Sequence, residues 1–265
     1  MASRAEDKAP LSVAIITRDE AKRLPDCLKS VSFADEIVVV DSGSTDRTVE
    51  IAQEYGCRIF TEEWKGFGPQ KTSAIEKCTH DWVLLLDADE RLAPGSSFIV
   101  QAALAEGKAA SAYSFMRKSH IGTHWIRYSD WWPDRVTRLI DRRKCRIRNI
   151  THEKVEAAGE TFQLDAVIEH YPFGNYTQMI QKMDIYSTCL AREMHVGGKI
   201  TSPFAPVSHG LWMFLRTFVI KRGFLDGFDG LVIALLNAAG SFFKYAKLYE
   251  LQALGRNRAD KNSRP

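Results

Sequence analysis

The chain has 265 residues, of which 45% are hydrophobic and 26% charged, with a formal net charge of +3. These values fit one large globular domain, or one and a half, and they exclude a disordered chain, a collagen and a long coiled coil. The last fifteen residues carry four basic side chains against one acid, so the rest of the chain is neutral overall. The charge therefore argues against a protein that coats nucleic acid, and we expect no nucleic-acid partner.

The cysteines and the N-terminal segment predict a cytoplasmic protein. The five cysteines form no C-x-x-C pair, which indicates neither a disulfide framework nor a zinc ribbon. The segment MASRAEDKAP has no apolar signal core, and no run reaches the roughly 20 uninterrupted apolar residues that span a bilayer. The nearest approach, at 230–243, is too short, so no membrane span is expected.

Apolar runs in the first half predict strands that alternate with helices. The predicted strands are 11–16, 36–40, 58–60 and 82–86, and the predicted helices are 19–32, 47–55 and 69–78. This alternation predicts an α/β fold with a mostly parallel sheet and helices on both faces. The second half predicts strands at 111–116, 136–140 and 161–170, an amphipathic helix at 176–194, and two apolar helices within 211–251, broken between Gly223 and Gly230.

Two aspartates directly follow the most apolar strand. Asp87 and Asp89 flank Ala88 at the carboxyl end of strand 82–86, where ligands bind in open α/β sheets. Two carboxylates at such a place supply the oxygen ligands that a hard divalent cation prefers. A capping or turn pair is the alternative interpretation of this pattern.

Two further polar loops follow neighbouring strands. Asp41-Ser-Gly-Ser-Thr-Asp46 follows the second strand, and its small residues allow a ligand to approach the backbone at a helix start. Thr17-Arg-Asp-Glu20 follows the first strand. Taken alone, each is an ordinary loop; together with Asp87-Ala-Asp89 they predict three loops that converge on one edge of the sheet.

In this order and spacing, S-V-A-I-I-T-R-D-E, V-V-V-D-S-G-S-T-D, G-F-G-P-Q-K and L-L-L-D-A-D-E resemble the family 2 glycosyltransferases of GT-A fold. The later segments R-V-T-R-L-I, T-H-E-K-V, H-Y-P-F-G-N, K-M-D-I-Y-S and G-F-L-D-G-F-D-G-L are similar to the lipopolysaccharide core β-1,4-glucosyltransferase group. The resemblance covers residues 11–251.

The resemblance implies an inverting, metal-dependent enzyme that moves glucose from UDP-glucose to an inner-core heptose of a glycolipid. It implies that Asp89 ligates Mg²⁺ or Mn²⁺, with Asp87 near the ribose and the metal. The residues expected around the nucleotide are Thr17, Glu20, Asp41, Ser42, Lys71, Asp87, Ala88 and Asp89. Many relatives carry Arg-Asn where this chain has Lys71-Thr72, and a lysine lacks the two-pronged guanidinium. Whether Lys71 contacts the diphosphate therefore stays open.

An incoming sugar hydroxyl needs a general base, and two carboxylates compete for this role. Many relatives use an acid of a Glu-Asp motif, where this chain has His152-Glu153. We expect Glu153 to be the base, with His152 orienting it or touching substrate. Asp134 is the competitor, since it follows two tryptophans that could stack on a sugar.

Histidines and a basic run leave other interpretations open. His120 and His124 have helical ligand spacing, but Gly122 favours a polar loop. His170 lies at a strand end, from which it could reach the metal or the diphosphate. The run 142–148 fits a nucleic-acid patch, a contact to phosphates of the acceptor, or a solvated face.

We expect residues 1–105 to form the nucleotide-sugar half of the GT-A domain and 106–202 the acceptor half. Residues 203–265 would form helices that bind the inner membrane peripherally or make a homo-oligomer. The apolar stripe in this last part comprises Leu211, Phe214, Leu215, Phe218 and Val219, with Trp212 at its edge.

Two rival functions remain. A sugar-nucleotide nucleotidyltransferase shares the layout but usually has a Gly-rich loop where this chain has Thr17–Glu20. A non-enzymatic carbohydrate- or membrane-binding adaptor would not need Asp41, Asp89 and Glu153.

Overall fold

The computed structural model describes residues 9–107, 109–148 and 154–262, with side chains as far as residue 254. The described residues form two compact units. The first takes the described residues up to Lys118 and those from Pro133 to Tyr171. The second takes Ser119–Trp132 and the described residues from Pro172 onward. The predicted division after residues 105 and 202 separates functional roles rather than compact units, and it stays a prediction.

The strands recover every predicted one and add short pairs. They are β1 (Leu11–Thr17), β2 (Glu36–Asp41), β3 (Arg58–Thr61), β4 (Trp82–Asp87), β5 (Glu90–Leu92), β6 (Ala112–Ile121), β7 (His124–Trp125), β8 (Arg135–Asp141), β9 (Cys145–Arg148), β10 (Lys154–Ala157) and β11 (Thr161–Phe173). The helices are α1 (Leu24–Ser30), α2 (Thr48–Glu54), α3 (Phe67–Lys77), α4 (Ser96–Ala105), α5 (Tyr176–Val196), α6 (Ala205–Leu215) and α7 (Gly227–Asn262).

The main sheet of the first unit confirms the predicted α/β class. Its order is β3-β2-β1-β4-β8-β6-β11-β5. The first four strands are parallel, as the alternation with helices predicts. The sheet then continues with antiparallel pairs, among them β4 with β8, β8 with β6, and β11 with β5. β9 and β10 form a separate antiparallel pair.

Both faces of β1 are buried because helices cover the sheet on each side. Val13 and Ile15 lie in one apolar cluster with Leu28 of α1. Ala14, on the opposite face, lies in a second cluster with Ala74 of α3. Side chains alternate between the faces of a strand, so an apolar run without polar interruption is what two covered faces require.

Helix α1 begins at Leu24, five residues after the predicted start at residue 19. Asp19 has a φ of +52°, which no α-helix allows, and its Oδ1 accepts the Thr45 N–H at 2.7 Å. Pro25 in the first turn suits a helix start, because proline has no N–H to leave unpaired there. The residues from 18 to 23 are thereby free to form a loop at the sheet edge.

The second unit is built on α5, α6 and α7. Lys247 of α7 donates to Asp184 Oδ1 of α5 at 2.6 Å, and His209 of α6 stacks on Tyr245 of α7 at 3.9 Å between ring centroids. A π-turn (Arg216–Ile220) and a 3₁₀ turn (Gly223–Asp226) separate α6 from α7, so the break begins earlier than the predicted Gly223–Gly230 and ends at Gly227.

One segment of the second unit bears on the expectation that no part of the chain spans a membrane. Gly223–Leu254 is long and apolar enough by length and composition, with a mean hydropathy of 1.3 over 18 residues. The expectation rested on the lack of a long unbroken apolar run, whereas this segment is apolar on average although polar residues interrupt it. The core helix of a soluble protein passes the same measure, so this finding alone assigns no span.

Candidate active site

Three strand ends lie side by side at one edge of the first unit's sheet. The register pairs Thr17 with Asp41 across β1 and β2, and Ile16 with Asp87 across β1 and β4. The loops that follow these strands therefore start level with one another. This is the convergence that the sequence predicts.

Hydrogen bonds hold the first two loops together. The Asp19 N–H donates to Ser44 Oγ at 2.8 Å, and Asp19 Oδ1 accepts the Thr45 N–H. The Glu20 N–H donates to Thr48 Oγ1 at 2.8 Å, while the Glu20 carboxylate accepts from its neighbour Arg23 at 2.8 Å. Glu20 therefore anchors the loop through its backbone, and its carboxylate is committed to Arg23.

Asp41 organises the loop that it opens. Its Oδ2 accepts the N–H groups of Gly43 and Ser44, each at 2.9 Å, and its Oδ1 accepts the Ser44 hydroxyl. Gly43 has a φ of +82°, which glycine adopts without strain. A carboxylate offers about four acceptor positions, so Oδ1 retains one for a further donor.

Buried hydroxyls lie beside Asp41. Thr17 Oγ1 and Ser42 Oγ have no hydrogen-bond partner among the described residues, although both side chains are buried. Gln70 Nε2 of α3 is in the same situation. Leaving a buried polar group unpaired costs about 1–3 kcal/mol, so these groups at the strand ends favour a polar ligand there.

Asp87 is held by two cations of the protein. Lys71 Nζ lies 2.8 Å from Oδ1, and Arg138 Nη2 lies 3.0 Å from Oδ2. Lys71 is only 4% exposed, so its charge is directed to Asp87 within the fold. The neighbouring Ala88 is buried in the core.

Asp89 has a histidine as its neighbour. Asp89 Oδ2 lies 3.7 Å from His170 Nε2 of β11, and the Asp89 carbonyl accepts the Tyr171 N–H at 2.9 Å. Burial lowers the pKa of His170 to about 4, even though the charge of Glu90 opposes this shift. His170 is therefore neutral at pH 7, and neutral imidazole is the form that binds metals.

No three His, Cys, Asp or Glu side chains of the described ranges converge as a complete metal cage. Asp89 and His170 would supply one oxygen and one nitrogen ligand, and their chemistry fits a divalent cation whose other ligands come from substrate. From the sequence alone, it is open whether His170 reaches the metal or the diphosphate. In the structure, the pairing of β11 with β5 brings His170 beside Asp89.

The sequence analysis gave no role to Glu90, Arg117 or Arg138. Glu90 Oε1 lies 2.7 Å from Arg138 Nη2 and 3.1 Å from Arg117 Nη1. Burial by itself raises the pKa of Glu90, but the positive charges of Arg138 and Arg117 lower it well below the usual range. Glu90 belongs to the motif L-L-L-D-A-D-E and Arg138 to R-V-T-R-L-I. These motifs were the sequence signal that could have identified both residues.

Of the two candidate bases, Asp134 and Glu153, only Asp134 lies among the described residues. Arg117 Nε donates to Asp134 Oδ2 at 2.8 Å, and the Asp134 side chain is 31% exposed. His152 and Glu153 lie outside the described residues.

The remaining polar candidates have structural partners. His120 and His124 lie on β6 and β7 of a hairpin rather than on a helix, and His124 pairs with Asp229 at 2.6 Å. In the basic run, Arg142 donates to carbonyls at the end of α3, Arg143 pairs with Asp141, and Arg148 pairs with Glu156. These contacts favour a solvated face over a nucleic-acid patch.

Comparison with known proteins identifies the family. A sequence model described as Glycosyl transferase family 2 matches residues 12–156. An uncharacterized glycosyltransferase of Rickettsia felis is 31% identical, over 91% of this chain and 89% of that protein. Lipopolysaccharide core biosynthesis glycosyltransferase LpsC of Rhizobium meliloti is 29% identical, over 93% of this chain and 94% of that protein.

Solved structures with lower similarity include TarS of S. aureus in complex with UDP-GlcNAc, which is 13% identical with a TM-score of 0.45 and covers 93% of this chain and 92% of that chain. Glucosyl-3-phosphoglycerate synthase of Mycobacterium tuberculosis, in complex with Mn²⁺, UDP and its product, is 23% identical with a TM-score of 0.33, over 43% of this chain and 45% of that one. The family model and the relative from Rickettsia felis each confirm the resemblance seen in the motifs. The chain belongs to glycosyltransferase family 2.

Proposed function

We propose that this glycosyltransferase moves glucose from UDP-glucose, with inversion, to a heptose in the inner core of a lipopolysaccharide precursor. The pairing of Asp89 with His170 is the observation that carries the donor part of this proposal, and the unpaired buried hydroxyls of Thr17 and Ser42 at the ends of β1 and β2 support it. The relation to LpsC over nearly the whole chain supports the acceptor class.

The nucleoside would lie against the ends of β1 and β2. The hydroxyls of Thr17 and Ser42 would gain the partners that they lack, and the remaining acceptor position of Asp41 would take an N–H of the uracil. Asp87 would face the ribose with its charge already balanced by Lys71 and Arg138. Lys71 thus supports Asp87 rather than binding the diphosphate.

Asp89 and His170 would hold Mg²⁺ or Mn²⁺ together with oxygens of the diphosphate. Such a cation, when bound, stabilises the negative charge of the leaving diphosphate. Asp87 would stay outside the ligand set, because both of its oxygens already contact cations of the protein.

Glu153 would take the proton from the acceptor hydroxyl as the oxygen bonds to the anomeric carbon. The bond from that carbon to the diphosphate breaks on the opposite face, UDP leaves, and the configuration inverts. His152 would orient Glu153. Asp134 is the weaker candidate because one of its oxygens already accepts from Arg117.

The second unit offers a surface for a membrane. Exposed apolar side chains recur every four residues along α6 and the π-turn, at Val207, Leu211, Leu215 and Val219. Others adjoin them in sequence, namely Trp212, Ile220, Phe224, Leu225 and Phe228. Phe214 and Phe218, predicted in the stripe, instead stack on each other half-buried.

We propose that this apolar face lies on the cytoplasmic side of the inner membrane as a peripheral contact. An enzyme held at the bilayer would meet a glycolipid acceptor in two dimensions. A homo-oligomer through the same face is the alternative.

The donor proposal predicts that Asp89→Ala abolishes sugar transfer. Without this carboxylate the cation loses a protein ligand, and the diphosphate loses its charge partner. The measurement is UDP release from UDP-glucose with Mn²⁺ and heptose-bearing glycolipid, alongside calorimetry of UDP with and without Mn²⁺. Asp165→Ala, on the exposed face of β11, is the matched control and should keep full activity. Full activity of Asp89→Ala, or of the parent enzyme in a chelator, would contradict the metal assignment.

The choice of base predicts opposite results for two isosteric substitutions. Glu153→Gln cannot accept a proton, so we expect turnover to fall by roughly 10²–10⁴ with UDP-glucose affinity nearly unchanged. Asp134→Asn should lose much less turnover, and the exposed Glu160→Gln none. Stopped assays of UDP release under saturating donor measure these rates. Near-normal turnover of Glu153→Gln with an inactive Asp134→Asn would assign the base to Asp134.

The membrane proposal predicts that polar residues on the α6 face weaken lipid binding. Leu211→Asn with Leu215→Asn should reduce the fraction that sediments with phosphatidylglycerol-containing liposomes by tenfold or more, since each buried leucine contributes roughly 1.5–3 kcal/mol. Ile180→Asn with Ile185→Asn, equally exposed on α5, is the matched control. If the parent does not sediment at low salt while light scattering shows a dimer, the face is a subunit interface instead.

A further inference from the structure

Six side chains of the first unit form a continuous series of ion pairs in which positive and negative charges alternate. Its members, here called the charge chain, are Lys71, Asp87, Arg138, Glu90, Arg117 and Asp134. Three are cations and three are anions, so the charge chain is balanced within itself.

Glu90 is the central anion of the charge chain. Its side chain is fully buried, and one oxygen, Oε1, faces both Arg138 and Arg117. The other oxygen, Oε2, accepts the N–H of Asp87 at 3.2 Å. Glu90 therefore closes the turn that begins at Asp87, and Asp89 lies within that turn.

The members come from strands that are distant in sequence. Asp87 ends β4, Arg138 lies on β8, Arg117 on β6 and Glu90 on β5. The opposite anchor of the same turn is the Tyr171 N–H of β11, which donates to the Asp89 carbonyl. The backbone of the turn that carries Asp89 is thus held from both sides.

Burying Glu90 between two arginines is not needed for stability alone. Replacing a buried ion pair by apolar side chains of similar volume is often neutral or stabilising, whereas removing one partner is costly. A carboxylate that binds two guanidinium groups and a backbone N–H also sets geometry, since each contact has a preferred direction.

We infer that Glu90 is a positioning residue for sugar transfer. It acts through Arg138 on Asp87 and through the Asp87 N–H on the turn that carries Asp89, while Arg117 helps to hold Glu90 itself in place. Because this inference concerns the same site, it rests on the proposed function. Glu90 itself touches no substrate.

Glu90→Gln tests the inference, since glutamine keeps the shape but has one acceptor oxygen in place of two. The amide NH₂ of the glutamine would face N–H donors from which it cannot accept, so the turn would lose a hydrogen bond. We expect a folded protein with a lowered melting temperature and UDP affinity in a chelator within threefold of the parent. We expect kcat to fall by about 10²-fold, the scale of a small misplacement of reacting groups. Glu63→Gln, an exposed glutamate of the same unit, is the matched control.

A double-variant cycle separates positioning from general destabilisation. Arg117→Gln alone should also reduce kcat, by tenfold or more, and it provides the test if Glu90→Gln does not fold. If Arg117 acts by holding Glu90 in place, the kcat loss of the double variant is smaller than the product of the single losses by at least about fivefold. Loss of stability without a change in kcat would not reproduce this pattern.

The outcomes distinguish this inference from the proposed function. A parent enzyme that releases no UDP from UDP-glucose with heptose-bearing glycolipid overturns the proposed function, and the inference with it. An active parent whose folded Glu90→Gln variant keeps kcat within threefold overturns the inference alone. Kcat losses that simply multiply in the double variant also overturn it.

Discussion

The parallel register of β1, β2 and β4 is the constraint on which the donor site depends. It brings Thr17, Asp41 and Asp87 to one level, although up to 70 residues separate them in sequence. Apolar side chains on both faces of these strands fix that register, because a slip of one residue would exchange the two buried faces. The loops can then carry polar groups that a less constrained edge could not hold in place.

Charge is distributed unequally over the two aspartates that follow β4. Asp87 lies between Lys71 and Arg138, and the protein compensates its charge completely. Asp89 faces a histidine kept neutral by burial. Placing two anions so close together in a partly buried site is unfavourable unless cations lie nearby, and Asp87 has two such cations. The difference in environment, rather than in residue type, separates their roles.

The sequence predicted the structural features that depend on residues close together in the chain. Apolar runs predicted the strands, and the motifs predicted the three polar loops and the family. The predicted start of α1 was wrong, because hydrogen bonds between Asp19 and the loop after β2 override the helical spacing of the apolar residues. The position of His170 beside Asp89 was not predictable, since it depends on β11 pairing with β5 about 80 residues away. Glu90 and its arginines were missed for the same reason. The role of Lys71 stayed open because the sequence does not show its burial against Asp87.

A crystal structure with UDP and Mn²⁺, recorded at the manganese absorption edge, tests the central claim most directly. We expect one anomalous peak within coordination distance of an Asp89 oxygen, of His170 Nε2 and of the diphosphate, with Asp87 still bound to Lys71 and Arg138. A peak coordinated by Asp87 in place of His170, or UDP bound away from Thr17 and Ser42, would contradict this assignment of the site.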